Sequence, residues 1–213
     1  MKLPMLCRVA TCKWYSKLDL KSAYLQLPLS RDAMKCTTIS THMGHFSYTK
    51  LPFGISSAPS IFQEFMDRYI VGNTPGVKAY QDDVIVAGET KEQHDARLKV
   101  IVDRLNKFHL EINEEKSLIC KSKVPFLGYI LDSGMLKPDP QRLTTFQSIK
   151  SPENKVQLKS VLGTLRYYGN FLVNFSARAA FLYRLLRKDV AFHWTRKHEE
   201  LSFEETHQRI DAR

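Results

Sequence analysis

Alternating apolar and polar residues predict strands and turns in the first part of the chain. Residues 14 to 20 mix aromatic, aliphatic and polar side chains and predict a strand that ends near Leu20. A tight turn and a short apolar segment follow, and Pro28 stops that segment. The stretch from 36 to 49 is rich in Thr, Ser, Phe and Tyr around Gly44, which predicts a hairpin.

A second hairpin is predicted farther along the chain. Residues 77 to 88 form two apolar runs around a polar centre, which places Gln81, Asp82 and Asp83 at or beside the tip. Residues 110 to 136 predict a series of short strands.

Helical spacing of apolar residues marks two segments between these strands. Apolar positions recur every three to four residues from 61 to 70, after Pro59 in the expected first turn and before Gly72. The same spacing runs from 91 to 108 with charges on the opposite face, which predicts a second amphipathic helix.

The pattern changes near residue 136. Two prolines within 136–140 mark a predicted domain boundary, and beyond it the spacing is helical over about 141–150 and 155–187. Strands and helices that alternate before the boundary predict an α+β domain, an antiparallel sheet backed by two helices.

Composition and charge narrow the classes of partner. The 213 residues are 43% hydrophobic and 25% charged, which excludes collagen-like, low-complexity and wholly disordered chains. Lys and Arg exceed Asp and Glu by 32 − 22 = +10. Such an excess suits a polyanion, either nucleic acid or an acidic membrane face, although a solvated basic surface explains it equally well.

The cysteines and the apolar runs indicate the compartment. The four cysteines form no CxxC pair and no zinc-finger spacing, so a reducing compartment is expected. We see no apolar run long enough to span a bilayer and no targeting segment. The expected location is cytoplasmic or nuclear, without membrane contact.

Asp82 and Asp83 are the first candidates for chemistry. Adjacent carboxylates at a hairpin tip repel each other, and desolvation adds to the cost. A divalent cation such as Mg²⁺ removes both penalties and prefers hard oxygen ligands. An acidic turn without any ligand explains the same pair, because Asp is a favoured turn residue.

Asp19, at the end of the first predicted strand, is the second candidate. Backbone N–H groups of the turn after it could meet phosphate oxygens, although a turn or N-cap aspartate is the simpler explanation of Asp19 alone. If one sheet brings Asp19 close to Asp82 and Asp83, three carboxylates can hold two Mg²⁺ ions. Such a pair stabilises an in-line phosphoryl displacement.

Five blocks occur in order between about residues 15 and 195: SKLDLKSAYLQLPL, LPFGISSAPSIFQEFMD, YQDDVIVAG, VPFLGYIL and LKSVLGTLRYYGNF. Together they strongly resemble the reverse transcriptase of LTR retrotransposons, specifically the gypsy-like branch. The resemblance implies an RNA-directed DNA polymerase built as a right hand. It places the palm and residual fingers in 1–136, a helical thumb or connection in 137–190, and the lead-in to a ribonuclease H domain in 191–213.

The resemblance assigns catalysis to the three aspartates. It implies that Asp19 and Asp82, with the Leu20 carbonyl, bind two Mg²⁺ ions, for which Mn²⁺ can substitute, and that Asp83 completes the YxDD signature. The primer 3′-hydroxyl attacks the α-phosphate of a deoxynucleoside triphosphate on an RNA or DNA template. Lys116 resembles the lysine that protonates leaving pyrophosphate, although a solvated surface lysine is the simpler explanation.

The resemblance also implies a nucleotide pocket. Tyr24 matches the steric gate, whose ring leaves no room for a ribose 2′-hydroxyl, although a core tyrosine is the alternative. Phe53 stands where retroviral enzymes usually carry Gln, which points to the retrotransposon branch. The implied nucleotide-binding residues are Leu20, Lys21, Ser22, Ala23, Tyr24, Phe53, Gly54 and Gln63.

Two further blocks imply contacts with the primer–template duplex. One matches the primer grip, the hairpin that aims the primer 3′-end, and a hydrophobic core is the alternative: Phe126, Leu127, Gly128 and Tyr129. The other matches a thumb helix that contacts phosphates without reading sequence, and a solvated helix face is the alternative: Lys155, Lys159 and Arg166.

Departures from the family leave a second function open. The chain begins eighteen residues before Asp19, where the family has several dozen residues of fingers, and residues 191–213 stop short of any ribonuclease H active site. Gly169 replaces a residue that is usually basic in the thumb. A non-catalytic remnant that keeps the palm and binds nucleic acid weakly is the alternative. A metal-dependent nuclease fits less well, because a steric gate and a primer grip serve no nuclease.

Overall fold

The computed structural model describes residues 6, 9–141, 151–168 and 175–199. The predicted helix over 141–150 lies almost wholly outside these residues, as do Gly169 and the stretch 200–213. The chain divides into a first unit, Met1–Leu136, and a second unit, Lys137–Arg213.

The first unit is built on a four-stranded sheet. The strands in chain order are β1 Trp14–Asp19, β2 Ile39–Thr41, β3 Gly44–Phe46, β4 Val77–Tyr80, β5 Asp83–Gly88, β6 Leu118–Lys121, β7 Lys123–Phe126, β8 Tyr129–Asp132 and β9 Met135–Pro138. The main sheet has the order β4-β5-β1-β6, and all its neighbours are antiparallel. Strands β2 and β3 pair with each other, and β7, β8 and β9 form a separate sheet.

Two amphipathic helices cover one face of the main sheet, as the apolar spacing predicts. Helix α2, Ala58–Phe65, carries a proline in its first turn and continues as a π-helical segment, Met66–Val71. Helix α3, Lys91–Lys107, begins at Thr90, whose side-chain oxygen accepts a hydrogen bond from the Gln93 N–H. The predicted α+β domain of a sheet backed by two helices is therefore confirmed.

The core lies between these helices and the sheet. Leu18, Val84 and Val86 share one face, because Leu18 lies directly opposite Val84 and side chains alternate between faces along each strand. All three pack in one buried cluster with Phe62 of α2 and Ile101 of α3. Asp19 and Asp83 lie on the other face, away from the helices.

Short elements depart from the sequence-based expectation. The hairpin predicted over 36–49 is shorter, because helix α1, Arg31–Cys36, precedes it and Gly44 begins β3 instead of forming the turn. The apolar segment before Pro28 contains a 3₁₀-helix, Ala23–Gln26. Neither helix spans two turns, so neither shows the periodicity by which longer helices are recognised.

Beyond the end of strand β9, the described elements of the second unit are helices. It contains α4 Lys155–Tyr168, α5 Phe175–Arg184 and α6 Arg196–Glu199. Leu158 and Leu162 of α4 and Leu182 of α5 share a buried cluster. Among the described residues of both units, no helix combines the length and apolarity needed to cross a bilayer.

Candidate active site

Asp19 and the sequence-distant pair Asp82 and Asp83 lie together at one end of the main sheet. Strand β1 ends at Asp19, and β5 begins at Asp83, its direct partner in the antiparallel ladder. The Leu20 N–H donates to the Asp82 carbonyl at 3.0 Å. Directly opposed residues have Cα atoms about 4.5–5.5 Å apart, so the backbones of the two strand ends are adjacent. The sequence-based expectation that Asp19 lies close to Asp82 and Asp83 is met.

Gln63 of helix α2 makes hydrogen bonds to the turn that carries Asp82 and to the strand that leads into it. The turn consists of Gln81, with a positive φ of 53°, and Asp82, between the paired residues Tyr80 and Asp83. The Gln63 side-chain Oε1 accepts from the Gln81 N–H at 2.9 Å, and its Nε2 donates to the Ala79 carbonyl at 3.0 Å. Gln63 therefore fixes the turn, a role distinct from the pocket-lining role that the resemblance implies.

The backbone of Asp19 is held by Asn113 and Ser117, two residues that the sequence did not single out. The Asn113 N–H donates to the Asp19 carbonyl at 2.7 Å, and the Asp19 N–H donates to the Ser117 Oγ at 3.1 Å. Lys116 lies in the loop between these two residues and is exposed. The loop thus fixes Asp19 on the strand end and brings Lys116 into the same region of the unit.

One lysine partly balances the three negative charges. Lys17 lies two residues before Asp19 on the same face of β1, and its Nζ is 3.0 Å from Asp83 Oδ1. Desolvation raises the pKa of Asp82 above its ordinary value, and the neighbouring charges of Asp83 and Asp19 raise it further. The site thus holds more negative charge than its protein neighbours neutralise, which is the condition that favours a divalent cation.

The Lys17–Asp83 ion pair predicts a stability effect. We expect Lys17→Met to destabilise the protein by about 1–2 kcal/mol, because it leaves a carboxylate three-quarters buried beside two others without its cation. Urea unfolding measures the change. The matched control is Lys35→Met, which removes an ion pair of similar length between well-exposed side chains and should cost less than about 0.5 kcal/mol. Equal losses in the two variants would contradict the role given to Lys17.

An aromatic cluster stands beside the carboxylates. The Tyr24 ring contacts Phe53 and Phe62, with centroids 5.2 and 5.3 Å away. Desolvation raises the pKa of the Tyr24 phenol, and the charge of Asp82 contributes. Phe62 is fully buried, whereas Phe53 is 59% exposed. Tyr24 and Phe53 therefore border an open surface near Asp82.

The segment that joins β1 to Tyr24 contains four of the implied nucleotide-binding residues, Leu20 to Ala23. Ser22 has a positive φ of 45°, and Ala23 is buried directly before Tyr24. The Lys21 side chain is exposed and lies 3.7 Å from Glu111. Gly54 has a φ of +88°, a conformation that favours glycine, and an added Cβ there would meet open space.

The implied primer grip forms the tip of the β7–β8 hairpin. Phe126 pairs with Tyr129, and both are buried. Leu127 and Gly128 form the two-residue turn with positive φ values of 54° and 82°. Strand β7 also contacts β1, so the hairpin packs on the strand that ends at Asp19.

The implied thumb residues lie on helix α4 of the second unit. Lys159 and Arg166 are exposed. Lys155 Nζ donates to the carbonyls of Arg187 and Val190 at 2.5 and 2.6 Å. Lys155 therefore caps the end of a neighbouring segment, and a contact with phosphate would compete with these hydrogen bonds.

The donor set at the sheet end fits magnesium. Asp19 and Asp82 offer carboxylate oxygens and Leu20 a carbonyl, all hard ligands of the type that Mg²⁺ prefers. Desolvation, with the charges of Asp83 and Asp19, raises the pKa of Asp82, and a bound cation would favour the ionised carboxylate. Within the part of the chain that the structure describes, these residues are the ones we assign as potential Mg²⁺ ligands.

Comparisons with known proteins agree with this geometry. A family model described as reverse transcriptase (RNA-dependent DNA polymerase) matches residues 3–131. The retrovirus-related Pol polyprotein from transposon opus of Drosophila melanogaster is 32% identical over 185 residues, 85% of this chain and 18% of that polyprotein. The corresponding polyprotein from transposon gypsy of the same organism is 32% identical over 181 residues, 83% and 17% of the two chains. This chain thus spans less than a fifth of either relative.

A solved structure has the same fold. The foamy viral protease–reverse transcriptase in complex with double-stranded DNA superposes with a TM-score of 0.86 at 25% identity. The match covers 99% of this chain and 38% of that one. The α+β polymerase fold expected from the sequence is confirmed.

Proposed function

The chain belongs to the reverse transcriptase (RNA-dependent DNA polymerase) family, and from this premise we propose that it carries a nucleotidyl-transfer site. The substrates are a primer paired to an RNA or DNA template and deoxynucleoside triphosphates. One observation carries the proposal: the β1–β5 register that sets Asp19 directly against Asp83, beside Asp82. A nucleotidyl-transfer centre requires such a convergence of carboxylates.

The family depends on divalent metal ions. The metal ligands assigned in this chain are the carboxylates of Asp19 and Asp82 and the carbonyl of Leu20. Two Mg²⁺ ions, or Mn²⁺ in their place, would activate the primer 3′-hydroxyl and neutralise charge at the α-phosphate. The protein's own contribution is to fix these oxygens on two paired strands. Gln63 holds the backbone of the turn that carries Asp82, and the Asn113 loop holds the backbone of Asp19.

Nucleotide selection falls to the aromatic cluster. The Tyr24 ring would abut the sugar of the incoming nucleotide, and Phe53 and Gly54 would line the pocket beside it. Exposure of Phe53 next to the buried Phe62 supports a binding surface at this place. The primer-grip hairpin, with its two buried aromatic anchors, would present a rigid tip to the primer strand.

Binding of the duplex is proposed to rest mainly on phosphate contacts. The net charge of +10 supports this mode, and Lys159 and Arg166 are exposed cations of helix α4. Contacts of this kind do not read sequence and weaken steeply with salt.

Incorporation of labelled dTTP on poly(rA)/oligo(dT), with Mg²⁺ or Mn²⁺, tests the proposal. Extension that requires the metal and the primer would support nucleotidyl transfer. Retained duplex binding without incorporation would favour a non-catalytic remnant. Metal-dependent shortening of the primer would favour a nuclease.

The raised pKa of Asp82 predicts how metal binding depends on pH. A carboxyl must lose its proton to bind a cation. Because the pKa of Asp82 is raised, its carboxyl takes up a proton at a higher pH than an ordinary aspartate does, and Mn²⁺ affinity should begin to fall at that higher pH. Asp83→Asn removes a neighbouring charge and should move this fall to lower pH. Mn²⁺ titrations across the acidic range measure both midpoints, and a shift to higher pH in the variant would contradict the assigned cause.

A further inference from the structure

The side chain of Gln81 joins the aromatic cluster to the catalytic turn. The Tyr24 hydroxyl donates to Gln81 Oε1 at 2.5 Å, across 57 positions of sequence. Gln81 directly precedes Asp82, so one residue contacts the implied gate with its side chain and carries the metal-binding turn with its backbone.

We propose that Gln81 is a positioning residue that sets discrimination against ribonucleotides by holding the Tyr24 ring in place. The inference rests on the proposed function, because it concerns which nucleotides that site admits. Gln81 itself acts through Tyr24 and need not touch the nucleotide.

The packing around Tyr24 leaves the hydrogen bond to Gln81 a role in holding the ring in place. The Tyr24 ring contacts two aromatic side chains, Phe62, which is fully buried, and Phe53, which is mostly exposed. An exposed neighbour restrains a ring less than a packed core does, because it has fewer atoms around it to hold it in place. The hydrogen bond fixes the hydroxyl end of the Tyr24 ring.

Gln81 is well held for this purpose. Its N–H donates to Gln63 Oε1 at 2.9 Å, and its backbone adopts a positive φ of 53°. Its Nε2 lies 3.5 Å from the Pro59 carbonyl, which orients the amide with Oε1 toward Tyr24. Gln63, Gln81 and Tyr24 thus form one chain of hydrogen bonds from helix α2 to the gate.

The expected size of the effect follows from the bond. A neutral hydrogen bond of ordinary net strength corresponds to about a two- to tenfold change in an equilibrium. Loss of the Tyr24–Gln81 hydrogen bond should therefore reduce discrimination between dTTP and UTP by about two- to tenfold, less than loss of the whole ring.

The test compares incorporation efficiencies of dTTP and UTP on poly(rA)/oligo(dT) for wild type, Gln81→Met, Tyr24→Phe and the double variant. Met keeps the length and lack of branching of Gln, and Phe removes only the hydroxyl. We expect each single variant to lose about two- to tenfold of the dTTP/UTP ratio, and the double variant to lose no more than either one. Gln93→Met, on the exposed side of helix α3, is the matched control and should keep the wild-type ratio.

The ratio separates this role from damage to the turn, because a displaced Asp82 slows both nucleotides alike. An unchanged ratio in Gln81→Met, or additive losses in the double variant, would overturn the role of Gln81 while the proposed function stands. Absence of incorporation by the wild-type chain would refute the proposed function and this role with it. A double-mutant cycle on thermal stability with the same variants should show coupling between Tyr24 and Gln81, and no coupling would also overturn the proposal.

Discussion

Replacement of Asp82 by Asn should lower primer extension on the order of 10³-fold or more, because an amide is a poor substitute for an anionic ligand of Mg²⁺. Affinity for the primer–template duplex should stay within about twofold, since phosphate contacts elsewhere dominate it. Extension assays paired with a salt-matched binding titration measure both quantities.

Asp103→Asn is the matched control for this variant. Asp103 is exposed on helix α3, and its replacement removes one negative charge from the same unit without touching the site. It should leave extension and duplex affinity near the wild-type values. Parallel loss of extension and binding in Asp82→Asn would show that Asp82 maintains the fold instead of the chemistry.

The free energy of unfolding of the Asp82→Asn variant gives a second test of the role of Asp82. The pKa of Asp82 is raised in the folded state, so ionisation of this group weakens folding as pH rises through the raised value. Asp82→Asn should therefore be at least as stable as wild type at neutral pH. The gain should not exceed about 1 kcal/mol, because Asp82 is exposed and its charge interactions are screened.

The second large effect concerns Gly88, at the end of strand β5. A Cβ there would lie 2.5 Å from the His94 backbone nitrogen and 2.7 Å from its Cα, so the start of helix α3 would have to move. His94 cannot yield easily, because it is fully buried and its ring nitrogens contact Ser16 Oγ and Asp95 Oδ1, each at 2.8 Å. We expect Gly88→Ala to destabilise the first unit by about 2–3 kcal/mol in urea unfolding.

Gly163→Ala makes the same chemical change, but it should raise the free energy of unfolding instead of lowering it. Gly163 lies inside helix α4, and nothing lies within 4 Å of an added Cβ. Alanine should therefore stabilise the second unit by about 0.5–1 kcal/mol through helix propensity. A neutral or stabilising Gly88→Ala would contradict the close packing of β5 against α3.

The parts of the fold that sequence predicts well are those with a repeating pattern. Helix α3 carries an apolar residue every three to four positions, and its observed bounds differ by one residue from the expected 91–108. Two apolar runs that flank a polar centre also predict the hairpin around Gln81. Such patterns reflect burial of one side of an element, which local sequence records.

The structural roles that the sequence did not reveal depend on contacts between residues that are far apart in the chain. Gln63 clamps a turn 18 positions away, and Ser117 braces Asp19 across 98 positions. Lys17 pairs with Asp83 only because β1 and β5 are adjacent. Contacts of this kind produce no periodic pattern of residues along the chain. They therefore cannot be recognised from the sequence before the fold is known.

The roles of the three aspartates required more than local pattern. An acidic turn and a strand-end aspartate each have a simpler explanation alone. The family blocks assign the catalytic roles to Asp19 and Asp82, and the β1–β5 register places Asp19 directly opposite Asp83.

Binding of Mn²⁺ followed by electron paramagnetic resonance tests the shared site most directly. Wild type should bind the ion, and Asp19→Asn and Asp82→Asn should each weaken binding at least about tenfold, whereas Asp103→Asn should not. Wild-type affinity in Asp19→Asn alongside a loss in Asp82→Asn would show that the two carboxylates do not hold a common ion, and would contradict the account.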